Sequence, residues 1–450
     1  MRLRFPSSRR LRQSMPDEFV NPEDWGRRIA TLVAAVLVGL GALTFAWAGD
    51  RAQDTFEHLQ RSYPWIHLVV TPALFAGIIW VTMRIAPESR GSGIPQAIAA
   101  SHQPNGKAAQ ALVSVRVALF KVVATVAGMF GGASVGREGP TVQLAAALMV
   151  KVHQILHVRV TSGVVIAGGA AGVAAAFNTP LAGIAFAIEE LAVAYEQRVA
   201  VLVMGAVMIS GLTAQGLAGN YTYFGVIDGS LPVTTVLIAA PLAGIVGGAL
   251  GGLFARLMLA ARGPAGKWAG PFKAHPVKAA LACGVVVGAL GFVTSGATSG
   301  TGYAPTKLML ETGSHGDLWF GPAKFITALA TSVSGIPGGI FAPSLSVGAG
   351  IGHLFTPLFA PENAGMIVLL GMAGYFTGVV RAPLTAVIIL SEATGNSTAI
   401  LPLFATALIG DWAGAMVCRQ RLYHALAEGF IPSSPDESAK ASEGVEIEKP

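Results

Sequence analysis

Two pentapeptides 203 residues apart carry the same punctuation: Gly136-Arg137-Glu138-Gly139-Pro140 and Gly339-Ile340-Phe341-Ala342-Pro343 both read Gly-x-x-x-Pro. The same offset carries Lys121 onto Lys324, Pro180-Leu181 onto Pro383-Leu384, and Glu189 onto Glu392. One Gly/Pro coincidence would mean little in a chain with 56 glycines. Several unlike landmarks at one spacing read as two copies of one ancestral unit. In a membrane, a duplicated unit of this kind points to a transport site between the copies. The offset alone does not tell parallel copies from inverted ones.

The membrane setting follows from the distribution of charge. Stretches such as Ile29–Gly49, Ile66–Met83, Gly163–Ile188, Thr234–Ala255, Ala279–Tyr303 and Gly365–Val380 contain no charged residue. Charged residues are 12% of the chain and hydrophobic ones 53%, where soluble proteins carry about a quarter charged. A bilayer core needs about 20 apolar residues per helix, so the apolar content suffices for ten or more segments. Many are interrupted by glycine or proline, and in lipid a broken backbone survives only where protein or a watery cavity covers it. An all-α integral membrane protein with half-helices inside it is the expectation. Most of the glycines serve close helix packing.

Residues 1–28 form a basic arm without the short apolar core and cleavage site of a signal peptide. Its arginines place the N-terminus in the cytoplasm. Residues 29–220 form the first half, 221–232 a polar connection, and 233–430 the second half. Residues 431–450 have no apolar period and are expected to be disordered, too short for a folded regulatory domain. The net charge of +6 comes with no nucleic-acid motif, so no nucleic-acid partner is expected. Cys283 and Cys418 form no metal-ligand spacing and read as small core residues. No metal and no cofactor is expected.

Glu138 carries the sharpest chemical signal. It follows a glycine-rich stretch and precedes Pro140 and the apolar run Val142–Val150, so Gly136–Pro140 reads as a loop feeding a helix. Free N–H groups and the positive dipole end at such a start make an anion site. An acid at membrane depth is costly and functional by default; the bland alternative is a surface pair with Arg137. The second copy, Gly339–Pro343, offers the same backbone donors without an acid. A third glycine knot, Gly91-Ser92-Gly93-Ile94-Pro95, exposes a hydroxyl that can donate to an anion without neutralising it, or it is simply a helix cap. Glu189 and Glu190 end an apolar helix that starts after Asn178-Thr179-Pro180, either to handle protons or because that end meets water. Lys121 and Lys324 are buried cations or snorkel to the interface. Tyr423 is an anion donor or an interfacial aromatic.

Taken together, the three pentapeptides and Tyr423 resemble the signature set of the CLC family of chloride channels and chloride/proton antiporters. Ala174-Ala175-Ala176-Phe177-Asn178 and Arg381-Ala382-Pro383-Leu384-Thr385 are similar to it as well, and the likeness runs in order over nearly the whole chain. The resemblance implies a homodimer with one ion pathway per subunit, each subunit made of two inverted-topology halves of tilted and broken helices. It implies that Ser92 and Tyr423 hold chloride by their hydroxyls, and Ile340 and Phe341 by their backbone amides. Glu138 would be the gating glutamate and outer proton-transfer group, with Arg137 adding positive potential.

Glu190 matches the inner proton-transfer acid of family antiporters, a position where channels usually lack one. Ser92, where nitrate-selective relatives tend to have proline, implies chloride. Gln96 stands where many bacterial relatives carry an acid, and Ile98 is apolar, which leaves Lys121 without an obvious partner. Arg421 replaces a common proline. The expected function is therefore a chloride/proton antiporter of the bacterial inner membrane, with both termini cytoplasmic and with chloride, protons, lipid and a second copy of the chain as partners. A passive chloride channel on the same fold is the alternative. An intramembrane protease is excluded by the lack of His-Glu-x-x-His, Gly-x-Gly-Asp and Gly-x-Ser-Gly motifs, so the chain is not expected to be an enzyme.

Overall fold

A computed structural model describes residues 22–191, 197–219, 221–227, 229–313 and 317–431, the side chains of 22–24 and 197–198 excepted. The expected disordered tail beyond 431 and the first 21 residues of the expected arm lie outside the described residues. In the first half the helices are α1 (Pro22–Ser62), α2 (Ile66–Ile85), α3 (Ile94–His102), α4 (Lys107–Leu112), α5 (Val115–Phe130), α6 (Glu138–Ile155), α7 (Ser162–Phe177), α8 (Pro180–Phe186) and α9 (Gln197–Ala218). In the second they are α10 (Val233–Arg262), α11 (Ala269–Ala274), α12 (Pro276–Val293), α13 (Tyr303–Thr312), α14 (Phe320–Ser334), α15 (Phe341–Phe355), α16 (Ala364–Val380), α17 (Pro383–Thr394) and α18 (Ile400–Val417). A short α19 (Leu422–Ala427) follows.

The two series correspond. From α6 with α15 through α8 with α17, the equivalent starts keep the 203-residue spacing to within a residue. Even the caps repeat: α7 ends on Asn178 at φ 58° and α16 on Arg381 at φ 64°, both left-handed, and 203 residues apart. Nearer the N-terminus of each half the spacing widens. Gly93 caps α3 at φ 111° and Gly302 caps α13 at φ 75°. With that wider register, Lys121 Nζ donating to the Gly91 carbonyl (3.1 Å) is the counterpart of Lys324 Nζ donating to the Gly300 carbonyl (2.8 Å).

Contacts between equivalents fix how the halves meet. Gly136 N–H donates to the Gly339 carbonyl (2.8 Å), and Gly339 N–H donates to the Gly136 carbonyl (2.7 Å), an antiparallel bridge. Glu189 accepts from the backbone N–H groups of Leu384 (3.1 Å) and Thr385 (2.7 Å). Reciprocally, Glu392 accepts from those of Leu181 (3.2 Å) and Ala182 (2.8 Å). When i touches the equivalent of j, and j touches the equivalent of i, the two copies are related by a two-fold axis. The halves are thus two-fold-related copies. Thr179 and Ala382, at the starts of α8 and α17, provide no side-chain cap, so each orphaned first turn is capped by the opposite half.

Seven helices among the described residues are long and apolar enough to cross a bilayer, fewer than the ten or more segments that apolar content allowed. The remaining apolar runs form shorter helices such as Ser162–Phe177 and Pro383–Thr394. Several helices around the glycine and proline knots are deeply buried, the long α16 among them. Every residue of α7 from Gly163 to Phe177 is buried, and so are Glu138–Ala147 at the start of α6. The broken backbone is therefore covered by protein, as a bilayer requires.

The acidic pair after α8 departs from expectation. The α-helix stops at Phe186, and Glu189 and Glu190 lie in one π-helical turn, Ala187–Leu191. Glu189 reaches the opposite half, while Glu190 faces inward and is buried. Replacing Glu392 with alanine removes the cap of α8 and is expected to cost about 1–2 kcal/mol, seen as a lower apparent melting temperature in detergent. An unchanged melting temperature would mean that those amides find another acceptor.

Candidate functional site

Three glycine loops converge where the two-fold relation passes. A Cβ on Gly93 would lie 2.5 Å from the Gly139 carbonyl oxygen. One on Gly139 would lie 2.7 Å from the Ser92 carbonyl oxygen and 3.2 Å from Gly339 Cα. One on Gly339 would lie 2.8 Å from Gly139 N. These contacts are backbone against backbone, so only glycine lets the loops close. The Gly91 loop is also tied to the second half, with Gly338 N–H donating to the Gly91 carbonyl at 3.1 Å and Thr125 Oγ1 donating to the Pro337 carbonyl at 3.0 Å.

Each loop opens a helix, so the first turns of α3, α6 and α15 gather at this point. None of the three N-cap residues, Gly93, Arg137 and Ile340, caps its helix with a side chain. The N–H groups of Glu138, Gly139, Phe341 and Ala342 are left without an acceptor inside their helices. Free amides and three positive helix ends in one buried volume favour an anion.

The sequence-predicted residues meet here. Ser92, Glu138, Ile340, Phe341 and Tyr423 are all buried, and Tyr423 completely. The Ser92 and Tyr423 hydroxyls face each other, yet neither has a hydrogen-bond partner. Aromatic packing holds Tyr423 at the start of α15. The Phe341 ring is 5.9 Å from Tyr423 and also packs on Phe376 (4.9 Å), Phe186 (5.6 Å) and Phe177 (6.3 Å). The Glu138 carboxylate folds back towards Gly136, near the backbone amides of Glu138 and Ala342. Both of its oxygens are buried with no partner of hydrogen-bond geometry. Glu190 is likewise fully buried with both oxygens unpartnered. Both carboxylates lie within electrostatic reach of the Tyr423 hydroxyl.

Arg137 is not paired with Glu138. Its Nη1 donates to Asp50 Oδ1 (2.7 Å) and to the Ala46 carbonyl (3.1 Å), both on α1. Asp50 went unnoticed in the sequence. Its signal was its position, closing the charge-free run that ends at Gly49. Lys121 has no carboxylate partner among the described residues and bonds the Gly91 carbonyl instead. Gln96 donates from Nε2 to the carbonyls of Glu88 (3.0 Å) and Arg90 (2.7 Å). Lys121 and Gln96 together pin the turn that presents Ser92. A second residue missed in the sequence is His424, whose Nε2 lies 3.7 Å from Glu190 Oε1. Arg421 earns its place by donating from Nη1 to the Glu189 carbonyl (3.2 Å).

A duplicated, inverted membrane protein with an anion-seeking centre between its halves is a membrane transport protein. A family model described as "Voltage gated chloride channel" matches residues 73–415, and the chain belongs to that family, the CLC family. Solved structures share the fold. A slow cyanobacterial Cl⁻/H⁺ antiporter is 22% identical, with 90% of this chain and 97% of that one covered at a TM-score of 0.77. A CLC-type fluoride/proton antiporter is 20% identical, with 90% and 99% covered at 0.74. A eukaryotic CLC transporter is 22% identical, with 89% and 74% covered at 0.69.

The glycine contact makes a sharp expectation. Gly139→Ala must force backbone apart and should cost about 1–3 kcal/mol, lowering the apparent melting temperature. Gly77→Ala, where an added Cβ meets nothing within 4 Å, should leave it unchanged or raise it. Equal behaviour of the two variants would show that the loops are not in contact.

Proposed function

We propose that this chain is a chloride/proton antiporter with one anion pathway per subunit, gated by Glu138. The observation that carries the reading is the meeting of unspent donors with an unspent carboxylate. Free amides of α6 and α15, together with the Ser92 and Tyr423 hydroxyls, surround a volume into which Glu138 folds. Chloride and a charged Glu138 want the same donors, because a buried anion without hydrogen bonds is costly. A protonated Glu138 is neutral and no longer competes. Anion passage and proton uptake then alternate at one carboxylate, which is the condition for coupled exchange.

Glu190 supports exchange over conduction. A second buried acid, within electrostatic reach of Tyr423 but outside the amide cradle, is the component a proton needs to leave on the inner side. Ser92 and Tyr423 bind chloride through hydroxyls, and Ile340 and Phe341 bind it through backbone amides. Such neutral donors hold an anion loosely enough for it to leave. The protein works as a homodimer in the bacterial inner membrane with both termini cytoplasmic. The exposed apolar residues of α9 and α18, among them Val201, Leu212, Leu401 and Trp412, suit burial against lipid or a second copy.

The family description as a channel keeps a passive chloride channel as the second reading. Reversal potentials in planar bilayers separate the two. An antiporter shifts its reversal potential when pH differs across the membrane, whereas a chloride-selective channel stays at the chloride equilibrium potential.

Glu138→Gln should stop proton movement while chloride flux continues, and Glu190→Gln should do the same with chloride binding kept. Proton pumping that survives Glu138→Gln would falsify the gating role. Ser92→Ala and Tyr423→Phe each remove one donor to a charged partner, worth about 1.5–3 kcal/mol. Halide affinity measured by calorimetry should therefore fall by roughly ten- to hundredfold.

A further inference from the structure

Glu190 is fully buried, and a carboxylate that trades protons with the cytoplasm must still reach water. Among the described residues, His424 spans that gap. His424 Nε2 lies 3.7 Å from Glu190 Oε1; the imidazole side chain is 34% exposed and the carboxylate side chain 0%. Neither Glu190 oxygen has a hydrogen-bond partner. His424 is on α19 directly after Tyr423, so one short helix carries both a hydroxyl of the anion centre and a half-exposed imidazole.

We propose that His424 relays protons between cytoplasmic water and Glu190, a step that rests on the antiporter reading above. In the inward-loading direction a proton from water joins one ring nitrogen, and the proton on Nε2 passes to a Glu190 oxygen. The N–H bond at Nε2 breaks as an O–H bond forms, and the ring ends in the other neutral tautomer. Rotation of the imidazole, or flow in the opposite direction, resets it. The distance of 3.7 Å is longer than a hydrogen bond, and a small side-chain rotation closes it.

The surroundings suit a relay. Among the described residues, the charged and titratable groups facing His424 are Glu190 from the π-helical turn, Arg421 at the start of α19 and His102 at the end of α3. Burial, then Arg421, then His102 push the imidazole below its ordinary value, outweighing the raising effect of the Glu190 backbone carbonyl. A lowered imidazole is neutral at pH 7, so it can accept a proton and pass one on. Arg421 Nη1, donating to the Glu189 carbonyl at 3.2 Å, fastens α19 to the turn that carries Glu190. The spacing of donor and acceptor is held from outside the pair.

The test uses full-length protein in liposomes, with chloride and proton flux recorded together for wild type, His424→Gln and Glu190→Gln. His424→Gln should lower proton flux roughly tenfold or more while chloride flux continues. Imidazole buffer on the cytoplasmic face should restore part of the proton flux. Undiminished proton flux in His424→Gln overturns the relay. So does an equal fall of both fluxes that imidazole does not rescue, which would mark a structural role. Glu190→Gln separates the two layers. If it blocks protons while His424→Gln does not, the relay alone is wrong. If neither variant blocks them, the assignment of Glu190 fails and the relay falls with it.

Discussion

Gly136 and Gly339 donate to each other's carbonyls, and the rest of the architecture follows from that exchange. Two residues that occupy the same place in two copies can satisfy one another only if the copies face each other across a two-fold axis. The same logic recurs farther out, where Glu189 and Glu392 each cap the other half's helix. Buried backbone groups in lipid must find partners within the protein. Here the partners are supplied by the sister repeat, so neither half is complete alone. The anion-seeking centre sits on this axis because that is where two sets of unused amides are brought face to face.

Much of this was legible before any coordinates. Landmarks that repeated at 203 residues, Gly136/Gly339, Leu181/Leu384 and Glu189/Glu392, turn out to be residues that touch across the axis. They repeat because the contact is reciprocal. Ser92, Glu138, Ile340, Phe341 and Tyr423 were named from motifs, and they come together. The number of full spans was not legible, because composition measures apolar content and not where a glycine knot stops a helix. The inverted orientation could not be read from the offset and came only with the family resemblance. The π-helical turn at Glu189-Glu190 was invisible too, since nothing in a string of residues distinguishes a wide turn from an ordinary one. Asp50 and His424 were missed as lone residues whose partners, Arg137 and Glu190, are distant in sequence.

Charge inside this protein is handled by backbone as much as by opposite charge. Lys121 and Lys324 are both fully buried and both end on main-chain carbonyls. A carbonyl is a weak partner for an ammonium group, but it cannot be protonated or move away. Gln96 extends the principle by bonding two carbonyls of the preceding turn. The cost of burying such groups is met by rigidity in the loop that presents Ser92. Among the buried acids of the described residues, Glu138 and Glu190 are the ones whose carboxylate oxygens have no hydrogen-bond partner.

Duplication gives a molecule two matching ends, yet a transporter must tell outside from inside. At the 203-residue spacing the counterpart of Glu138 is Phe341. The first copy places an ionisable group over the shared cradle. The second places a ring, locked among Phe177, Phe186, Phe376 and Tyr423. One copy therefore brings an ionisable group to the shared cradle where its sister brings a packed ring. Divergence at this single pair of positions breaks the equivalence of the two repeats at the place where they meet.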